Sequence, residues 1–391
     1  MEIINIKKYK KMPKKNIIIL SVILFSIILI LSILTILYLN NNSVKEFIDV
    51  HIFRKEISQG NLKQIIIDAE SNKNLYAYDK YITVLNKSNL IIYDGQGQEY
   101  KKLDILIGTP IYSSNNRFLC IAEASGKRVY LISNGQILWE KEVEGTINKI
   151  DVNKNGYVSI ITSGTSYKTV IITYNPDGKE IFKTYLSSTI SVGTTISNDN
   201  KYLAVAEVDT SGAAIQSCVK VISIEKAKTD PSNSVIYTYN ANSGEVISRI
   251  KYQDKGQLVC MYDDGIHVIN NEQDSVILVL ETKGAIADIN LKNYIAYVTE
   301  KSTGLFSSNT NVLFKNVQNN TENTYEIQNA LKEVKMYDDK LVVNLGSEVH
   351  FINTAGWLER KYVSTQEITD ILLGSSIAGI VYRDKIEIIN F

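Results

Sequence analysis

The sequence predicts an all-β fold: a β-propeller of eight blades, with seven as the alternative, carried on a single N-terminal transmembrane helix. Three observations predict it. An uncharged apolar run fills Ile17 to Leu39; from Leu62 onward the hydrophobic pattern alternates with period two; and the alternating part repeats a unit of about 40 residues.

The first 16 residues form a basic tail holding Lys7, Lys8, Lys10, Lys11, Lys14 and Lys15. Residues 17–39 follow, 23 in number, with only Ser21, Ser26, Ser32, Thr35 and Tyr38 polar. At 1.5 Å per residue they span about 34 Å, enough for a hydrocarbon core of roughly 30 Å. A helix satisfies its own backbone groups in lipid, so a single span is helical. The lysines predict a cytoplasmic N-terminus and an extracytoplasmic C-terminal mass at the cell membrane. A cleaved signal peptide would have a shorter apolar run and a small-x-small site, whereas this one ends in Tyr-Leu-Asn-Asn-Asn-Ser, so an uncleaved signal anchor is expected. Residues 40–61 read as a stalk. Within it Val44, Phe47, Ile48, Ile52 and Phe53 have a loosely helical spacing, consistent with a short juxtamembrane helix and equally with a capping strand or packing helix against the domain.

Residues 62–391 form the propeller in this reading. Short runs rich in Ile, Val, Tyr and Thr are separated by Asn, Asp, Gly and Ser. Three windows superimpose, beginning at Asn116, Asn155 and Asn200: a turn, an aromatic residue, then an alternating strand. A second recurring element is a glycine hairpin at Gly97, Gly135, Gly178 and Gly356, where glycine supplies the positive φ of a tight turn. Four strands per unit make a propeller blade. Laid end to end, the blades fall near 75–103, 108–143, 146–186, 190–240, 246–281, 285–328, 331–363 and 367–390. The last segment supplies only three strands. The spare strand Leu62–Asp68 is predicted to complete it, closing the ring and hiding both sheet edges.

Charge and composition exclude several functions. Lys+Arg and Asp+Glu number 42 each, so no basic excess points to nucleic acid. Three dispersed cysteines and three dispersed histidines give neither a zinc spacing nor a disulfide framework, and no metal or cofactor is expected. Cys120 and Cys260 read as small core residues. No phosphate-binding loop, nucleophile elbow or zinc-protease helix occurs. Asp151-x-Asn153-x-Asn155-Gly156 copies the first half of a calcium loop, but Thr162 stands where the bidentate carboxylate belongs.

The candidate ligand-binding residues are Glu123, Ser163, Glu207, Asp209, Asp263, Asp264, His267 and Glu300, on the face that carries the loops between the second and third strands of each blade. The acids ending the second strands would form an acidic arc for a cation or cationic ligand; equally, hairpin ends are polar because they are wet. No catalytic residue is identified. The pair Tyr-Asp recurs at Tyr78, Tyr93, Tyr262 and Tyr337 in what read as different places in the blades, which marks it as turn chemistry.

The lysine-led anchor, the stalk residues Phe47-Ile48-Asp49 and Ile52 to Glu56, the run Tyr76 to Lys80 and the run Ile181 to Thr189 resemble a domain-of-unknown-function family. Its members are membrane-anchored β-propellers of low-GC Gram-positive bacteria. That resemblance implies a fold and a topology but no reaction. The propeller body also resembles, distantly, the quinoprotein-dehydrogenase-like and WD40-like superfamily through hairpins such as Asn134-Gly135-Gln136-Ile137-Leu138-Trp139. With tryptophan only at Trp139 and Trp357, the docking ladder of the quinoproteins is missing, as is the adjacent-cysteine pair of the quinone-binding enzymes.

The expected role is a membrane-tethered binding or scaffold module for envelope proteins or glycans. The alternative is a propeller enzyme, a hydrolase, lyase or quinone-dependent dehydrogenase, with its site at the channel mouth. Convergence discriminates the two: an enzyme should gather desolvated titratable groups with shifted pKa values.

Overall fold

Lys14–Asn40 is one α-helix of 27 residues. Ser26, Ser32 and Thr35 donate their hydroxyls to the carbonyls four residues back, at 2.8–2.9 Å, so these three polar side chains are satisfied inside the helix. Ile19–Asn40 is long and apolar enough to cross a membrane. The computed structural model describes residues 14–40, 44, 48, 52, 57–58, 62–68, 74–270, 272–280, 287–302, 308–327 and 331–391. Most of the predicted tail and stalk therefore lies outside the described residues. The chain divides into two units, Met1–Glu56 and Ile57–Phe391.

The second unit is an eight-bladed propeller of antiparallel sheets. In each blade four strands, A to D, run from the central channel outward. The A strands in chain order are Leu75–Tyr78, Pro110–Asn115, Thr146–Val152, Ile190–Ile196, Ile247–Tyr252, Ala287–Asp288, Glu333–Tyr337 and Asp370–Leu373, for blades 1 to 8. Alternation sends one face of each strand to the neighbouring blade. Eight hydrophobic clusters result, one for each junction between adjacent blades.

The ring closes as predicted. Lys63–Ile66 is the outer strand of blade 8, with Lys63 opposite Ile388 and Ile66 opposite Lys385. Ile65, 2% exposed, and Ile67 pack into the cluster between blades 8 and 1. Beside this seam a buried polar network joins blades 7 and 8. Glu387 is fully buried and accepts from Tyr362 Oη at 2.6 Å, Lys385 Nζ at 2.7 Å and Gln64 Nε2 at 3.2 Å. Tyr362 in turn meets Tyr382, which donates to Ser364. At the end of the predicted stalk Ile57–Ser58 is a short capping strand, parallel to Tyr362–Val363, and it makes blade 7 five-stranded, a pairing the sequence did not specify.

The predicted glycine hairpins are the C–D turns. Gly178 has φ +76°, and a Cβ there would sit 2.7 Å from Trp139 Cγ on the outer strand of blade 2. Backbone conformation and close approach to the preceding blade thus both require glycine. The Tyr-Asp pairs occupy three kinds of place: Tyr93-Asp94 a C–D turn, Tyr262-Asp263 a B–C end, and Tyr78-Asp79 and Tyr337-Asp338 both the A–B turn, with Asp79 at φ 50° and Asp338 at φ 56°. An aspartate tolerates the left-handed region better than most residues, so the pair is turn chemistry, with two of the four in the same position. A four-residue helix, Ile224–Ala227, interrupts the C–D connection of blade 4, capped by Ser223 Oγ accepting from Lys226 N.

Candidate functional site: the charged channel

The A strands that wall the channel carry charged residues on a period-two spacing. Lys149 and Asp151 stand on blade 3, Arg249 and Lys251 on blade 5, and Glu333 and Lys335 on blade 7. Side chains two apart on a strand share a face. The face opposite holds core residues such as Ile150 and Tyr252. In blades 3, 4 and 5 the A strand bulges at the same place, between Ile147 and Lys149, Ser191 and Gly193, and Ile247 and Arg249. A bulge re-aims the residues that follow it. Beyond it Asp151, Thr195 and Lys251 hold the same register, each one residue before the last ladder pair of its A–B hairpin.

Asp151, Thr195, Lys251 and Lys335 line a cavity of about 660 Å³ to which every blade contributes, among others through Ala77, Tyr112, Asp288 and Asp370, while Lys149, Arg249 and Glu333 stand two residues earlier on the same strands, outside its lining. It opens among the A–B turns. The turns at its rim are locked to one another. Asn153 Nδ2 donates to Asn200 Oδ1 at 2.6 Å and Asn155 Nδ2 to Asn198 O at 2.8 Å. Asn153 Oδ1 accepts from Asn155 N and Tyr157 N, both at 3.0 Å. The side chains of the sequence's calcium-like stretch are thus engaged in joining blades 3 and 4. Asp254 on blade 5 pairs with Lys292 of blade 6 at 3.0 Å and Lys154 of blade 3 at 3.6 Å. On the far side Tyr337 Oη accepts from Asn116 N at 2.8 Å, so blades 7 and 2 meet in front of blades 8 and 1.

The electrostatics differ between the walls. Burial lifts the Asp151 carboxyl from 3.8 to about 6, against the opposing charge of Lys251, the Ser113 hydroxyl and Lys149. Burial also lowers Lys251, despite Asp288 and Asp151, and lowers Lys149. Lys251 Nζ donates to the Asn290 carbonyl at 3.1 Å and side-chain oxygen at 3.3 Å, and Lys149 Nζ to the Val192 carbonyl at 2.8 Å. Arg249 lies 3.8 Å from Asp288. On the opposite wall Lys335 meets Asp370 and lies 3.4 Å from Glu333. Burial pulls Lys335 down, but Asp370 and Glu333 outweigh it and its pKa is raised. Burial raises Glu333.

The residues singled out from sequence lie at the B–C ends of the blades, away from this cavity. Glu123 accepts from Gly108 N at 3.2 Å and pairs with Arg128 at 3.5 Å. Glu207, 1% exposed, takes Lys220 Nζ at 2.8 Å and Thr189 Oγ1 at 2.7 Å. Asp263 accepts from Val246 N at 2.9 Å. These three acids therefore hold the segments that enter their blades. Ser163 Oγ lies 2.6 Å from Thr146 Oγ1, and Asp209 accepts from Ser211 N at 2.9 Å. The Asp264 carbonyl accepts from Leu280 N. His267 Nδ1 is 3.2 Å from both oxygens of Asp274, and that hydrogen bond raises its pKa. Its carboxylate partner is thus Asp274, on the next strand. Glu300 pairs with Thr310 in the blade 6 ladder, and its side chain is outside the described residues, as is loop 303–307. Cys120 and Cys260 are fully buried, as read from sequence.

Comparison with known proteins gives a family and a fold. The model of a family of unknown function, DUF5711, matches residues 55–391. No curated protein matches the sequence. Among solved structures, the dihydro-heme d1 dehydrogenase NirN in complex with DHE is 10% identical at TM-score 0.50, covering 90% of this chain and 82% of its own. Chaetomium thermophilum Sqt1, bound to the N-terminus of ribosomal protein L10, is 10% identical at TM-score 0.50, covering 86% and 100%. BamB from Moraxella catarrhalis is 10% identical at TM-score 0.47, covering 84% and 99%. At such identities the likeness is one of fold.

Proposed function

The chain belongs to the DUF5711 family, and we propose that it is a membrane-tethered binding module, N-terminus inside, that captures an envelope protein or glycan at the A–B mouth of its channel. The supporting observation is the 660 Å³ cavity walled by all eight blades, within the size range of ligand pockets. Interlocked Asn153, Asn155 and Asn200 make its rim stiff, which lowers the ordering cost of capture. The experiment places a photo-crosslinking residue at Lys154, on the rim, or at Asp209, at the opposite face, in intact cells. Specific adducts from position 154 and none from 209 are expected. Adducts from 209 alone would move the site to the B–C loops.

A second reading, an enzyme at the channel mouth, is favoured by one observation. Asp151 raised and Lys251 lowered share one cavity, with Lys149, also lowered, two residues from Asp151 on the same strand, the convergence expected of acid–base machinery. Under that reading Asp151→Asn abolishes turnover of a captured ligand while leaving the rim adducts intact; under the binding reading captured ligand is recovered chemically unchanged from both proteins.

A further inference from the structure

The charges of the channel are sorted by wall. On blades 3, 5 and 6, Lys149, Lys154, Arg249, Lys251 and Lys292 stand with Asp151, Asp254 and Asp288, five cations against three anions. On blades 7 and 8, Lys335 stands with Glu333, Asp338 and Asp370, one cation against three anions. Blades 3 and 7 stand four apart in a ring of eight, so Lys149 and Asp151 stand across the channel from Glu333 and Lys335, with blades 5 and 8 beside them on either side. The cationic wall is also poised to donate. An ammonium has three hydrogens to give, and those of Lys149 and Lys251 reach neutral carbonyl and amide oxygens at 2.8–3.3 Å. A carboxylate is a stronger acceptor than either of those oxygens, and charge-assisted bonds are about twice as strong as neutral ones. The bulges that precede Lys149 and Arg249 put this wall in register. Small residues at Gly193 and Thr195 of blade 4 leave room between the lysines of blades 3 and 5.

We propose that the channel receives a short zwitterionic peptide, its free carboxylate against Lys149 and Lys251 and its ammonium against Glu333 and Asp370. The assignment rests on the reading that the channel mouth is the binding site, and it names the ligand class. A ligand with one charge satisfies one wall and leaves the other desolvated. A neutral glycan satisfies neither, so a dipolar ligand discriminates by both ends.

The test is calorimetric titration of the full-length protein in lipid nanodiscs with four probes: trialanine, its amide, its N-acetyl derivative, and the doubly capped peptide. Trialanine binds best, and each cap weakens binding about tenfold or more. Lys251→Met removes the preference for trialanine over its amide and keeps that over the acetylated form; Asp370→Asn does the reverse. Equal binding of all four peptides to the parent protein overturns the proposal, as does no binding of trialanine at about 10 mM. The comparison of probes on the parent stands even where a variant fails to fold. Rim adducts from position 154 without trialanine binding refute the peptide assignment and leave the site reading intact. Absence of rim adducts refutes the site itself.

Discussion

Replacing Asp151 by asparagine keeps the shape of the side chain and removes its charge. The wild-type carboxyl is lifted by burial from 3.8 to about 6, a value that already includes the attraction of Lys251 and Lys149. The folded state therefore binds this proton more tightly than the unfolded chain, and ionisation costs stability. The cost is absent below about pH 4, grows as pH rises through the window from about 4 to 6, and is full above it. At about 1.4 kcal/mol per pKa unit the shift of about two units is worth about 3 kcal/mol. Asparagine carries no such cost. The variant should match the parent near pH 4 and exceed it by about 3 kcal/mol near pH 8, or about 6 °C at roughly 2 °C per kcal/mol. Both tryptophans lie in the propeller, and Trp139 is 7% exposed, so fluorescence melting follows this unit alone. An offset between the two proteins that does not vary with pH, or a variant less stable than the parent near pH 8, refutes the reasoning.

Three further perturbations follow from the packing. Gly178→Ala forces a side chain into φ +76° against Trp139 and should cost about 1–3 kcal/mol, whereas Gly256→Ala, with φ +87° and nothing within 4 Å of its Cβ, should cost less in the same melting assay. Ile65→Ala should cost about 2–5 kcal/mol and speed deuterium exchange in Lys385–Asn390, because the closing strand loses its buried anchor. Glu387→Ala strands Lys385 in a buried site and should cost about 3–5 kcal/mol by denaturant titration.

The architecture is readable because its causes are local. Period-two alternation, a positive-φ residue at many of the tight turns and a repeat of about 40 residues mark blades without tertiary information, and the missing strand of blade 8 matches the spare Leu62–Asp68. Pairing of Ile57–Ser58 with blade 7 rests on two residues, too few to show a period. The cavity is harder to see, since a ring gathers a few residues from each blade, about 40 positions apart. A signal existed nonetheless: charges alternate with core residues in Lys149-Ile150-Asp151, Arg249-Ile250-Lys251 and Glu333-Val334-Lys335, in strands otherwise expected to be buried. The acids at the B-strand ends drew notice because they recur, and they recur because each blade must hold its entering segment, as Glu123, Glu207 and Asp263 do.

Ring and channel both depend on the closure of blade 8 by a strand from the other end of the chain. Ile66 and Lys385 are register partners, and Ile66 is 75% exposed. Antiparallel partners have Cα atoms about 4.5–5.5 Å apart, within the reach of a disulfide. In the doubly substituted Ile66→Cys/Lys385→Cys protein, mild oxidation should yield a single intrachain bridge, seen as one crosslinked peptide pair by mass spectrometry, and a raised melting midpoint. Bridges only between separate molecules, or none at all in a folded protein, would contradict the closed eight-bladed ring.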